Sequence, residues 1–160
     1  MSLTNAMGLR KASCALGTAM IVLGTYLLVS GCAVTLRADP AVLGEVRSIG
    51  KVLGESETES FWNGTTEVDN KFVVDVGGAN AQEALNKASD LLRKRKWIAA
   101  PQKDPQIVQM HSPIWKGAYL SIKLFDPLHV GMYPEAAIKA IKEKSIDPEV
   151  LVIVNVGQSE

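Results

Sequence analysis

Between Lys11 and Arg37 the chain carries no charged side chain, and no other stretch restricts its fold so severely. About 20 residues of this kind suffice to cross the hydrocarbon core of a bilayer. Arg10 and Lys11 precede it, and Leu16, Met20, Ile21, Val22, Leu23, Leu27 and Leu28 fill it. A cationic end, an apolar core and then small residues make the layout of a secretory signal, whose cations stay in the cytoplasm. Met1 and Met7 both leave the two cations ahead of the core. Any folded domain is therefore built from the residues on the C-terminal side of this run.

The run closes on Val29, Ser30, Gly31 and Cys32. These four positions resemble the lipobox of bacterial lipoproteins: an aliphatic residue, a small or aliphatic one, a small one and an obligatory cysteine. The resemblance covers only the first fifth of the chain. It implies diacylglycerol joined to the Cys32 sulfur by a thioether, cleavage between Gly31 and Cys32 by the lipoprotein signal peptidase, and often acylation of the freed amino group. Cys32 is then a lipid anchor and the membrane its partner, with the mature chain on the extracytoplasmic side of the cell membrane. Two or three acyl chains hold a protein stably, whereas one alone is marginal at about 0.8 kcal/mol per buried methylene. The competing reading is a single-pass protein with an uncleaved N-terminal helix. Both readings leave the residues after Arg37 outside the cytoplasm.

Cleavage at Cys32 sharpens what composition allows. The full chain has 17 basic and 17 acidic residues, and losing Arg10 and Lys11 leaves a slight acidic excess, which argues against nucleic-acid binding. Cys14 leaves with the leader and Cys32 carries lipid, so no thiol remains for a disulfide, a metal or a nucleophile. No cofactor motif is present. The remainder is the size of one compact domain.

Three segments are expected: residues 1–31 as signal peptide, 32–70 as a lipid-anchored tether and irregular lead-in, and 71–157 as an α+β domain. The lead-in carries Gly44, Gly50, Gly54 and Gly64 and an acidic, hydroxyl-rich patch from Glu55 to Ser60, with one short strand allowed by alternation between Val42 and Val52. Phe61 and Trp62 are too apolar to leave in water and are expected to dock on the domain. Asn63 to Thr65 is formally a glycosylation sequon, of little weight in a bacterial export context.

Phe72 to Val76 is β-branched and aromatic and is stopped by Gly77 and Gly78, which predicts a strand. Asn80 and Glu83 have the spacing of a capping box. Behind them Ala81, Ala84, Leu85, Ala88, Leu91 and Leu92 form one helical stripe, with Trp97 sealing its end. Short strands are predicted from Trp97 to Ala100 and from Gln106 to His111, and a longer one from Ala118 to Phe125, where apolar residues alternate. Pro134 suits the first position of a second helix whose inner stripe is Ala137, Ile138 and Ile141. Val150, Val152, Val154 and Val156 share one side of a last strand, Leu151 and Ile153 the other.

This order fits a ferredoxin-like (split βαβ) two-layer sandwich, an antiparallel sheet with two helices on one face. The opposite face then presents Val73, Asp75, Tyr119, Ser121, Lys123, Leu151 and Ile153, too apolar to stand bare. Val73, Tyr119, Leu151 and Ile153 form a candidate partner face. Its cover is either intramolecular, through Phe61 and Trp62, or an envelope protein or second copy joining sheet to sheet.

Nothing after Cys32 carries a catalytic signature, and the two histidines lack the spacing of a metal site. His111 and Ser112 are neighbours on a strand end and point to opposite faces. Asp126 and His129 lie close enough in one loop to orient an imidazole, yet no nucleophile elbow is present. Arg93 to Lys96 reads as cations complementing a helix C-terminus, with anionic headgroups as the sharper alternative. Gly77 and Gly78 lack the Lys-Ser/Thr partner of a phosphate loop. The function expected is a non-catalytic, lipid-anchored envelope protein whose domain binds a partner or has a structural role. Its rival is a small surface-anchored hydrolase or ligand-binding protein using His111 to Trp115 and Asp126 to Tyr133.

Overall fold

Asp39 and Pro40 start a helix where the sequence suggests a tether. The Asp39 carboxylate accepts a hydrogen bond from the Ala41 N–H at 2.7 Å, and Pro40 fills the first helical position, where its missing N–H costs nothing. In the computed structural model, which describes residues 34–101 and 104–159, the chain runs β1 (Val34–Arg37), α1 (Pro40–Arg47), β2 (Lys51–Trp62), β3 (Thr65–Asp75) and α2 (Ala81–Lys94). It continues with β4 (Ile98–Ala99), β5 (Ile107–His111), β6 (Ala118–Leu124), a 3-10 segment (Pro127–Met132), α3 (Glu135–Lys144) and β7 (Leu151–Gln158). Residues 1–31 and Cys32 lie outside the described residues.

The strands form one mixed, open, seven-stranded sheet in an α+β fold. β3 is its centre of organisation: β2 pairs antiparallel along its whole length on one edge. The other edge is shared end to end, by β1 parallel at Thr65 to Val68 and by β7 antiparallel at Asn70 to Asp75. From β7 the sheet continues through β6, β5 and β4.

This departs from the split βαβ arrangement. There each helix joins parallel strands and the last strand lies outside the first. Here β7 is inserted between β3 and β6, antiparallel to both, so α3 links adjacent strands of opposite direction, whereas α2 joins β3 to β4, which run parallel with three strands between them. The helices also lie on different faces. Phe72, Val74, Val152, Val154 and Val156 pack with Val42 and Val46 of α1 and with Ala84, Leu85, Ala88 and Leu92 of α2. Leu53, Val73, Leu151 and Ile153 pack instead with Ala137, Ile138 and Ile141 of α3. A sheet buried on both faces reads as continuous apolar runs, which is why β7 is buried at Leu151, Val152, Ile153 and Val154 alike.

Of the segment 32–70 expected as a tether and lead-in, the described residues 34–70 are instead regular structure, within the same compact unit as the strands and helices that follow. Val42 and Val46 are fully buried, so the spacing that suggests strand alternation is one helical face. The patch from Glu55 to Ser60 lies in β2, with Glu55 bonded to Arg47 at 2.9 Å and Glu57 to Arg37 at 2.7 Å. Carboxylates along β2 also discourage pairing at the open edge of this strand.

α2 matches its sequence pattern closely. The Asn80 side chain accepts from the Glu83 N–H at 2.9 Å, and the Glu83 carboxylate accepts from the Ala79 N–H at 3.2 Å. Trp97 is buried, and its indole N–H donates to the Glu45 carboxylate at 2.7 Å, tying the end of α2 to α1. Trp97→Phe removes that charge-assisted bond and some ring volume. It is expected to lower stability by about 2 kcal/mol, seen as an earlier urea midpoint with an unchanged slope.

Candidate functional site

The concave feature of greatest chemical interest is a cleft of about 580 Å³ where the 3-10 segment crosses the α3 side of the sheet. β3 contributes Lys71, β6 contributes Lys123, and Asp126, His129 and Tyr133 come from the connection between β6 and α3. Lys71 donates to the Met132 carbonyl at 2.9 Å, which holds the segment over β3. Asp126 caps the segment: its carboxylate accepts from the Leu128 N–H at 2.9 Å and meets the His129 ring at Nδ1. The Asp126 N–H donates to the Tyr133 hydroxyl at 3.1 Å, and the Tyr133 ring lies 4.4 Å, centroid to centroid, from that of Phe125.

The bond from the Leu128 N–H, and then the one to His129, holds the Asp126 carboxyl below its ordinary value of 3.8. Both bonds favour the charged form. The stabilising carboxylate is therefore fully present above the ordinary value and is lost as pH falls through the lowered one. In an NMR titration the Asp126 carboxyl carbon is expected to show its midpoint below 3.8, with the Leu128 amide moving alongside it. A midpoint at or above that value means the cap is not formed in solution.

The pairing of Asp126 with His129 lacks a reaction partner. No serine, threonine or cysteine lines the cleft, and the Tyr133 hydroxyl is engaged by backbone. His111 stands at the opposite end of the β5–β6 hairpin, because Ile107 pairs with Lys123 and His111 with Tyr119. The loop from His111 to Trp115 and that from Asp126 to Tyr133 therefore do not share a cleft. Among the described residues no group of three or more His, Cys, Asp or Glu is placed to hold a metal ion. Two lysines and an imidazole line the cleft together with the carboxylates of Asp104 and Asp126, so its charges are mixed, and Leu128 and Met132 stand exposed beside it.

The candidate partner face fares differently. Val73, Leu151 and Ile153 are fully buried under α3, so the cover is intramolecular, supplied by α3 and not by Phe61 and Trp62. Tyr119 stays partly exposed and reaches Asp69 at 3.5 Å. Burial, then the charges of Asp69 and Glu67, raise its phenol above the ordinary value. Gly157 lies beneath that ring, where an added Cβ would strike the phenol oxygen.

Arg93 is paired with Asp90 at 3.1 Å, and Arg95 reaches back to Ser48; half of the basic run is thus used within the fold. Gly77 takes a positive φ of 71° and Gly78 lets α2 approach, its missing Cβ lying 2.6 Å from the Ala84 nitrogen. Sequence reasoning missed the exposure of Phe61 and Trp62, which do not dock on the domain and stand at the end of the β2–β3 hairpin. It placed Lys123 on the same sheet face as Val73 but missed Lys71 beside it, the two being joined only through the sheet register. Among the described residues no helix is long and apolar enough to cross a membrane. The chain matches no protein-family model, no curated protein and no solved structure in comparisons with each.

Proposed function

We propose that the protein is a lipid-anchored component of a bacterial cell envelope, held by diacylglycerol on Cys32, with a non-catalytic α+β domain on the extracytoplasmic side that binds a partner or has a structural role. The observation that carries this is the spacing between anchor and fold. The lipobox ends at Cys32, and β1 begins at Val34. Consecutive Cα atoms are about 3.8 Å apart, so two steps of chain place the start of β1 no more than about 8 Å from the lipidated residue. A domain so mounted stays at the bilayer surface.

The test is the intact mass of the membrane-extracted protein. A chain starting at Cys32 with added acyl mass supports the reading, and a chain retaining residues 1–31 without acyl mass replaces it with the single-pass alternative. One observation favours a second reading, a ligand-binding protein: Lys71, Lys123 and His129 converge with Asp104 and Asp126 on one cleft, a setting of mixed charge suited to a small polar ligand.

A further inference from the structure

We infer that the tip of the β2–β3 hairpin is a second membrane contact, which dips Phe61 and Trp62 into the headgroup region of the bilayer that holds the lipid anchor. This rests on the reading of Cys32 as that anchor. Phe61 and Trp62 are 69% and 74% exposed, large apolar rings that a soluble surface gains nothing by displaying. Their place in the fold gives them an occupant. Trp62 and Val34 both pair with Thr65, from opposite edges, so the aromatic tip and the start of β1 lie at the same end of the sheet with β3 between them, about 10 Å apart at two strand spacings. Val34 is itself 49% exposed, and Cys32 precedes it by two residues. Whatever bilayer receives the acyl chains therefore lies within reach of the hairpin tip.

Three features favour lipid over a protein surface. Phe61 and Trp62 are consecutive in a strand and so project to opposite faces of the ribbon; a flat protein partner covers one face, whereas an apolar medium entered end-on receives both. The turn is tight, with positive φ at Asn63 and Gly64, as a two-residue hairpin turn requires, which keeps the inserted part slim. The charges stop short of the tip on both faces, at Glu59 on β2 and Glu67 on β3. At about 3.3 Å per residue the uncharged tip is roughly 10 Å long. That matches the depth of roughly 5–10 Å to which interfacial protein elements enter a bilayer. Trp is also the side chain that prefers this layer, apolar in body with one polar N–H. The carboxylates behind the tip set the depth and make the contact independent of anionic lipid.

The experiment uses the full chain with its own acyl anchor, purified from membranes and reconstituted into phosphatidylcholine vesicles whose acyl chains are brominated near the headgroup. The parent and a Trp62→Phe variant are compared, both retaining Trp97 and Trp115. Both are expected to float with the vesicles. Bromine is expected to quench the parent by about the share of emission that Trp62→Phe removes, and to leave the variant unquenched. Protein of acylated mass that floats with unquenched emission overturns the hairpin contact while leaving the anchor intact. Equal quenching of the variant assigns the signal to Trp115 and also overturns it. Trp62 emission shielded in detergent, in proportion to protein concentration, makes the occupant a second copy and overturns it too. Protein that does not float removes the anchor and this contact together.

Discussion

A Cys32→Ala chain is expected to yield no acylated molecule at all, because the sulfur is the only atom to which the first lipid can be joined. Under the lipoprotein reading the peptidase acts after that lipid is attached, so the variant also keeps residues 1–31. Its mass is then that of the unprocessed chain with no acyl increment. The energetic change is large, since each methylene withdrawn from the bilayer forfeits about 0.8 kcal/mol and two chains carry many of them. The apolar run before Cys32, if retained, gives the variant a membrane affinity of its own, so fractionation alone does not decide the matter. Mass does. A Cys32→Ala protein that is processed and acylated like its parent sinks the anchor. A parent that retains residues 1–31 sinks it as well, and leaves the uncleaved helix as the holding element.

The features legible in the sequence are those whose cause is local. α2 carries its own start signal in Asn80 and Glu83 and its own buried stripe, and β6 carries its alternation and β7 its unbroken apolar run. Asp126 and His129 are three residues apart, so one turn brings them together. α1 is obscured because it is only eight residues long: Val42 and Val46 fit a strand face as well as a helical one, and only Asp39 and Pro40 distinguish the two. β2 is obscured because its outer half is polar on both faces, Glu55, Glu57 and Glu59 alternating with Ser56, Thr58 and Ser60. Such a strand is stabilised by pairing with β3 and by Arg37 and Arg47, not by a buried face.

The side of the sheet taken by α3 is the part no local signal could supply. An apolar stripe of Ala137, Ile138 and Ile141 says that the helix lies on a sheet, not which face it lies on. Likewise Lys71 and Lys123 share a cleft only because β7 stands between β3 and β6. The β5–β6 register, by contrast, is what separates His111 from His129 and divides the residues on which the hydrolase reading depends.

What does determine the seat of α3 is a missing side chain on β2. At Gly54 the pairing with β3 slips by one residue, so that Leu53 is extra between Val52 and Gly54 and turns into the core with Val73 and Ile153. A β-bulge of this kind redirects the side chains around it. A Cβ at Gly54 would lie 2.6 Å from the Ala137 nitrogen and 2.9 Å from the Ala137 Cβ. These are atoms of the first turn of α3, which cannot withdraw without the helix. Gly54→Val is therefore expected to cost about 3 kcal/mol or more, at the upper end of overpacking penalties, and to lower the melting temperature by roughly 10 °C. The loss should be confined to one layer. Backbone amides of α3 are expected to exchange faster by hydrogen exchange, while those of α1 and α2, on the other face, keep their protection apart from the global decrease. Uniform loss of protection across all three helices would mean that the two layers are not separately seated. An unchanged melting temperature would mean that α3 does not rest against Gly54.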